Sequence, residues 1–459
     1  MNSYLNRDLP VPHALTLALS WLFAILYGVW LLPNTVFTRN VCLIAGALLS
    51  LLVIVPRWRL LLQKRAAPIW LIAILFLWIT FHLFFIGQDY STQLMEYTKS
   101  WKKIFISSVF AVGLGMAIVS NFKDPKRLAI YWRVIYFGLM LPMVIYFIKL
   151  GTTTWAPLFG IELSPHLMIS REIFTDPFAV HRSGYVFFVM PALAIGIAKL
   201  AHAMLSGKFS PKENLIYIVT ILMTVALFHV EDDRLGYLFV ALLLLMAAIP
   251  VGNSLLKKSS IFKLISLVLL LFSITSVGVI AYRQNDQWKT LIADAKVGIQ
   301  VDRYDAWKYS RTTRPDLPLN EFEKPASLSN YERTAWATAG SRLALSNPLG
   351  YGLMSQSFGR LCRIYWPDAE TSWSHSAWLD FTLGYGVIGL LLLLVASLLA
   401  WNVGGSILEP WKLIGKWGLG SLVLVFLVKE VSSEVYINAL IFLVMLVTAL
   451  ALRFPERQV

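Results

Sequence analysis

Long apolar runs alternate with short polar intervals along most of this chain. A helix that crosses a bilayer needs about twenty mostly apolar residues. On that template spans are predicted near Val11–Leu32, Val41–Val55, Ile69–Gly87, Ile104–Ser120, Leu128–Leu150, Tyr185–Leu205, Leu215–His229, Leu235–Val251, Leu264–Tyr282, Tyr385–Val403, Leu413–Val428 and Val435–Leu452. The pattern predicts an all-α polytopic membrane protein of about 12 transmembrane helices. The second and eleventh runs are short, and only 230–234 separate the seventh from the eighth.

One interval breaks this rhythm. Residues 283–384 are polar and far exceed the usual connection between elements, which marks either a functional loop or a disordered one. Disordered segments are poor in aromatics, whereas this interval is rich in Trp and Tyr and nearly balanced in charge. A partly helical, folded cap is therefore predicted between two membrane parts, 1–282 and 385–459. Within it Tyr331–Ser346 reads as a helix stopped by Asn347-Pro348.

Composition agrees with the pattern. Hydrophobic residues make up 57% of the chain and charged residues 14%, with a mean hydropathy of +0.65. A soluble domain is about a quarter charged. The net charge of +14 does not point to nucleic acid, because the basic residues lie in short runs between apolar spans. Arg57, Arg59, Lys64 and Arg65, then Lys123, Lys126 and Arg127, then Lys257, Lys258 and Lys263 all fall in even-numbered loops. The positive-inside rule then places both termini in the cytoplasm. Lys99, Lys102 and Lys103 dissent, and imply either an interfacial helix or an anionic ligand outside. The start, MNSYLNRDLPVPHA, lacks the layout of a cleaved signal peptide, so the first span is expected to be retained. The two cysteines, Cys42 and Cys362, pair only if the fold brings them together.

This orientation directs the search for chemistry. Residues 151–184, 230–234, 283–384 and 429–434 all face the external side, where nucleoside triphosphates are scarce. The chain has no glycine-rich phosphate loop, so the energy for a reaction must come with the substrate. Arg182 and Arg234 each sit at the external end of a span. A guanidinium offers a permanent charge and a planar fork that grips phosphate in two places. The structural alternative is an interfacial anchor, or for Arg234 a pair with Glu231, Asp232 or Asp233. His375 lies in WSHSAWLDF just before a span, and a histidine side chain, whose unperturbed pKa is about 6.5, suits the work of a general base near neutrality. Its alternative is a hydrogen-bonded structural role. His181 and His166 are rivals in the external loops, while His13 and His202 lie toward the other face. Arg333 and Arg342 are nine residues apart, so an ideal helix puts them on different faces. Arg333 is the favoured anion ligand, and Arg342 is left to pair with a loop acid. Gly350, Gly352, Gly384, Gly386 and Gly389 suit tight turns and close backbone approach more than ligand contact. No His or Cys pair has metal-ligand spacing, so neither metal nor cofactor is expected.

The run from Arg333 and Trp336 through NPLGYG to His375 and GYGVIG resembles the signature region of the O-antigen ligase and O-antigen polymerase superfamily. The short element DDRLGYL resembles that family's earlier "SRG" element. The resemblance implies a metal-independent, membrane-embedded glycosyltransferase of the bacterial inner membrane. Its donor would be a glycan on undecaprenyl pyrophosphate at the periplasmic face. A ligase would join that glycan to lipid A-core, and a polymerase to another lipid-linked repeat. By motif, pyrophosphate binding falls on Arg234 and Arg333 and the acceptor's base on His375, while Arg182 fits by topology. One departure is Asp233, where the family commonly has Ser; an acid there weakens anion binding unless it is paired or turned away. Ligase is preferred over polymerase because one late loop dominates. A protein oligosaccharyltransferase and a transporter of lipid-linked sugar are the further alternatives.

Overall fold

A computed structural model describes residues 10–164, 167–169, 180, 182–206, 210–257, 261–284, 286–310, 312–429 and 433–453. It is all-helical, 78% helix with no strand among the described residues. In chain order the helices are α1 (His13–Val29), α2 (Val36–Ile54), α3 (Ala67–Phe85), α4 (Tyr90–Glu96) and α5 (Lys102–Val119). Then come α6 (Pro125–Trp155), α7 (Arg182–Ser206), α8 (Pro211–Val230), α9 (Arg234–Lys257) and α10 (Ile261–Gln284). The long polar interval holds α11 (Leu291–Gly298), α12 (Leu328–Ser346) and α13 (Ser357–Tyr365). The chain closes with α14 (Ala377–Gly404), α15 (Leu419–Val428) and α16 (Glu434–Leu450).

Among the described residues, eight helical stretches are long and apolar enough to cross a membrane, and the apolar parts of α1, α10, α15 and α16 are shorter. Each of the twelve apolar runs of the sequence coincides with one of these helices. Large apolar side chains such as Phe37, Leu77, Phe85, Leu222 and Phe272 remain exposed on the outside of the bundle. That is the surface of a protein that sits in lipid.

The centre of the bundle is α16, whose residues from Ile437 to Leu450 are all buried. A helix that is apolar on every side must be enclosed by others. Small residues permit the enclosure: a Cβ on Gly115 of α5 would lie 2.5 Å from Ala449 Cβ and 2.9 Å from the Leu446 carbonyl. Some polar side chains inside the bundle pair with one another, as where Ser107 of α5 donates to the Asn438 side-chain carbonyl of α16.

Two of the boundary differences from the sequence expectation bear on the site. Residues 90–119 form one helical rod through a π-helical turn at Tyr97–Trp101, so Lys99 and Lys102 continue a span instead of lying on a separate interfacial helix. The last long span starts at Ala377, eight residues before the predicted Tyr385, and is broken within: Tyr385 (φ −117°, ψ 15°) and Gly386 (φ 73°, ψ 177°) are not helical. The polar interval has its own core, built around Trp307, Tyr331, Trp336, Leu343, Phe358 and Leu361. Cys42 and Cys362 are both buried and free.

Candidate active site

The break in α14 exposes backbone groups that lipid cannot satisfy. The NPLGYG loop after α12 satisfies them. Tyr351 N–H donates to the Leu383 carbonyl and Gly352 N–H to the Gly384 carbonyl, each at 2.7 Å, and Val387 N–H donates to the Pro348 carbonyl at 2.9 Å. The Trp78 indole N–H takes the Tyr385 carbonyl at 2.8 Å. Two Gly-Tyr-Gly segments, 350–352 and 384–386, thus lie backbone to backbone. A Cβ on Gly350 would meet the Gly384 carbonyl at 2.5 Å. Below the junction the Tyr385 hydroxyl donates to Glu96 at 2.7 Å and accepts from the Trp101 indole at 2.6 Å. The other acceptor demand on Glu96 Oε1 comes from Met354 N–H at 2.6 Å. His82 Nε2 lies 2.9 Å from the Leu349 carbonyl and its Nδ1 lies 3.1 Å from Gln93 Nε2. These contacts hold the cap rigidly on the membrane helices.

Above the junction α12 presents one stripe to the site. Ser329, Arg333 and Trp336 follow at spacings of four and three, so they lie within about 60° on the helix and span about 10 Å along it. Arg234, the first residue of α9, donates from Nη2 to Ser329 Oγ at 3.1 Å. The His375 ring stacks on Trp336, with centroids 4.6 Å apart and planes 22° apart. Arg333 stands between these two contacts. It is half-buried, with no ion-pair or hydrogen-bond partner among the described residues.

His375 is held by its backbone. Its φ of 52° is left-handed, a costly geometry for a residue with a Cβ that persists only where neighbours impose it. Here they do. Ser374 N–H donates to Asp380 Oδ1 at 3.0 Å, the Ser374 hydroxyl bonds the Ser376 carbonyl at 3.2 Å, and Ser376 N–H returns to that hydroxyl at 3.3 Å. Asp380 is buried in the first turn of α14, where a negative charge is also favoured by the helix dipole.

Asp233 is both paired and turned away. Its Oδ1 caps α9 by accepting from Gly236 N–H at 2.8 Å, and its Oδ2 meets Lys429 Nζ at 2.5 Å. Both side chains are under 5% exposed. The Lys429 carbonyl in turn accepts from Ala377 N–H at 3.1 Å, at the start of α14. The contacts close a ring: His375 on Trp336 of α12, Ser329 of α12 to Arg234, Asp233 beside it to Lys429, and Lys429 back to the segment that carries His375.

The remaining candidates fall outside the ring. Arg342, on the opposite face of α12, grips both oxygens of Asp302 from one nitrogen at 2.8 Å. Arg182 begins α7, but its side chain lies outside the described residues, as do His181 and His166. No group of three or more His, Cys, Asp or Glu positioned for a metal occurs among the described residues. Sequence reasoning missed Asp380, Lys429 and Ser329. Asp380 carried one signal, an acid in the first turn of a helix; Lys429 and Ser329 carried none, because their partners are remote in sequence.

The ring holds a half-buried guanidinium beside an imidazole, at the membrane end of a folded cap. That arrangement suits an anionic group with a hydroxyl presented next to it. No protein-family model matches the chain, and no curated protein matches it.

Proposed function

We propose that this protein is a membrane-embedded, metal-independent glycosyltransferase. In its most specific form it is an O-antigen ligase that moves a glycan from undecaprenyl pyrophosphate to lipid A-core at the periplasmic face of the inner membrane. The observation that carries the proposal is the stripe on α12, which sets Arg333 between the Arg234 contact and the His375 stack. These residues are the ones that the resemblance assigns to pyrophosphate and acceptor.

In the proposed reaction Arg333 and Arg234, with Arg182 assigned by topology, neutralise the pyrophosphate of a donor that enters from the bilayer. His375 accepts the proton of the acceptor hydroxyl. The freed oxygen attacks the anomeric carbon while the bond from that carbon to the phosphate oxygen breaks, and the lipid pyrophosphate leaves with the electron pair. Direct displacement inverts the anomeric centre. Each arginine stabilises charge that grows on the leaving group, and losing one contact of this kind costs about 2–4 kcal/mol at the transition state. Asp233 does not oppose the anion, because Lys429 neutralises it.

The test is glycan transfer in membrane vesicles supplied with the lipid-linked donor and lipid A-core. Wild type is compared with His375→Ala and Arg333→Lys. Glycosylated lipid A-core that vanishes in His375→Ala and falls at least tenfold in Arg333→Lys is the expected result. Full transfer by His375→Ala removes the base. Elongated lipid-linked chains without lipid A-core product reassign the protein to polymerisation. Donor binding without any covalent product makes it a transporter.

A further inference from the structure

Lys103, one of the lysines that run against the charge pattern of the loops, lies in a small cleft that shares no residue with the ring described above. The cleft is lined by Trp30 at the end of α1, Val36, Arg39 and Asn40 in the first turns of α2, Lys103 at the start of α5, and Glu434 at the start of α16. It sits at the same end of the bundle as Lys429, five residues before Glu434.

Four observations describe its chemistry. Lys103 Nζ meets Glu434 Oε2 at 3.1 Å, so one lysine and one acid cancel. Arg39 remains as the net positive charge. Its Nη1 donates to the Trp30 carbonyl at 3.1 Å, but its Nε is buried with no partner. Such a donor is expensive to leave unmet, so it marks a place where an acceptor belongs. The first turn of α2 has no side-chain cap, since the Thr35 hydroxyl is turned back to the carbonyls of Val29 and Leu32. The positive end of that helix dipole therefore faces the same opening. Phe37, which follows Val36 of the cleft lining, is 80% exposed and apolar.

We infer that this cleft is a second anion site, which takes one oxygen of a phosphate carried at the bilayer surface. The enclosed space is about that of a single water. One phosphate oxygen enters, and the rest of the group stays at the mouth beside Phe37. Arg39 Nε, the Asn40 amide and the open turn of α2 are the donors, and Glu434 sets the affinity by competing for Lys103. The inference does not depend on the proposed glycosyl transfer.

The experiment is native mass spectrometry of the full-length protein in detergent, titrated with short-chain phosphatidylglycerol, with inorganic phosphate, and with the matching phosphate-free diacylglycerol. Phosphatidylglycerol binds the wild type, and Arg39→Gln weakens it by about tenfold or more, the value of one charged hydrogen bond. Glu434→Gln tightens it, because the competing carboxylate is gone. If inorganic phosphate shows the same dependence, the anion alone is recognised; if only the lipid binds, the lipid is its source, and both results support the site. Diacylglycerol binding as well as phosphatidylglycerol overturns it, as does phosphatidylglycerol binding that neither variant changes. Should Arg39→Gln fail to fold, Glu434→Gln decides alone: unchanged or weaker binding refutes the inference, because a merely structural ion pair would lower thermal stability without tightening a ligand.

Discussion

Gly386→Ala tests whether the paired Gly-Tyr-Gly segments hold the cap on the membrane helices. At φ 73° and ψ 177° Gly386 occupies a region that only glycine visits readily, so a Cβ costs about 1–3 kcal/mol in backbone strain alone. The added atom would also lie 2.5 Å from the Pro348 carbonyl oxygen and 2.6 Å from the carbonyl of Leu349. Both neighbours are backbone and cannot rotate away, so the loop must retreat. Retreat breaks the 2.9 Å bond from Val387 N–H to Pro348, which leaves a donor in an apolar stretch unmet at about 1–3 kcal/mol. The expected loss is thus about 2–6 kcal/mol, a large part of the stability of a typical domain. Thermal unfolding in detergent or nanodiscs should show a drop of several degrees. Gly278→Ala in α10 is the control. Its φ is ordinary and no atom lies within 4 Å of the new Cβ, so it should unfold at or slightly above the wild-type temperature. A Gly386→Ala protein that melts with the wild type would refute the reasoning, since neither the strain nor the clash could then be real.

The Asp233–Lys429 pair should show strong coupling: Asp233→Asn or Lys429→Met alone costs about 3–5 kcal/mol, and the double variant recovers most of it because Asn still caps α9. Additive losses in the four-way melting comparison would argue against it. Burial pushes the Cys362 thiol up to about 12, so a maleimide should fail to label it in the folded protein at pH 7.5 and label it fully in denaturant. Rapid native labelling, read by peptide mass, would contradict the packing of α13. The Tyr309 hydroxyl, 2.5 Å from Asp368, holds that carboxyl below its usual value, and Thr313 and Ser310 hold Glu370 below its own. Because both folded pKa values are lowered, these tethers contribute above the unfolded values and are lost as pH falls through the lowered ones. Exchange of the Ser310 amide, which donates to Glu370 at 2.9 Å, corrected for its intrinsic pH dependence, should stay slow at pH 5 and rise only below about pH 4; a rise already at pH 5 would show the tethers are absent.

Hydropathy located the apolar helices because lipid imposes the same demand on every residue of a span. It failed where a span departs from that demand. Asp380, Thr382 and the glycines at 384 and 386 lower the apolar average, so α14 read as beginning at Tyr385 although its first two turns are helical and buried. Glu96 and the three lysines after it hid the upper part of the 90–119 rod in the same way. In the cap, the helix ending at Asn347-Pro348 was legible from its stop signal, and it begins three residues earlier than predicted. The opposite faces of Arg333 and Arg342 followed from helical spacing alone. The stack of His375 on Trp336, the bond from Arg234 to Ser329 and the neutralisation of Asp233 did not, because each joins segments with no local pattern in common.

The separation of Asp233 from Lys429 has a consequence during synthesis. The two are 196 residues apart. A ribosome adding about 5–20 residues per second delivers the lysine about 10–40 s after the aspartate. For that interval the contact with Lys429 cannot form, and neither can the bond from Ala377 N–H to the Lys429 carbonyl. The ring of contacts around the site therefore closes only once the chain beyond α14 has been made.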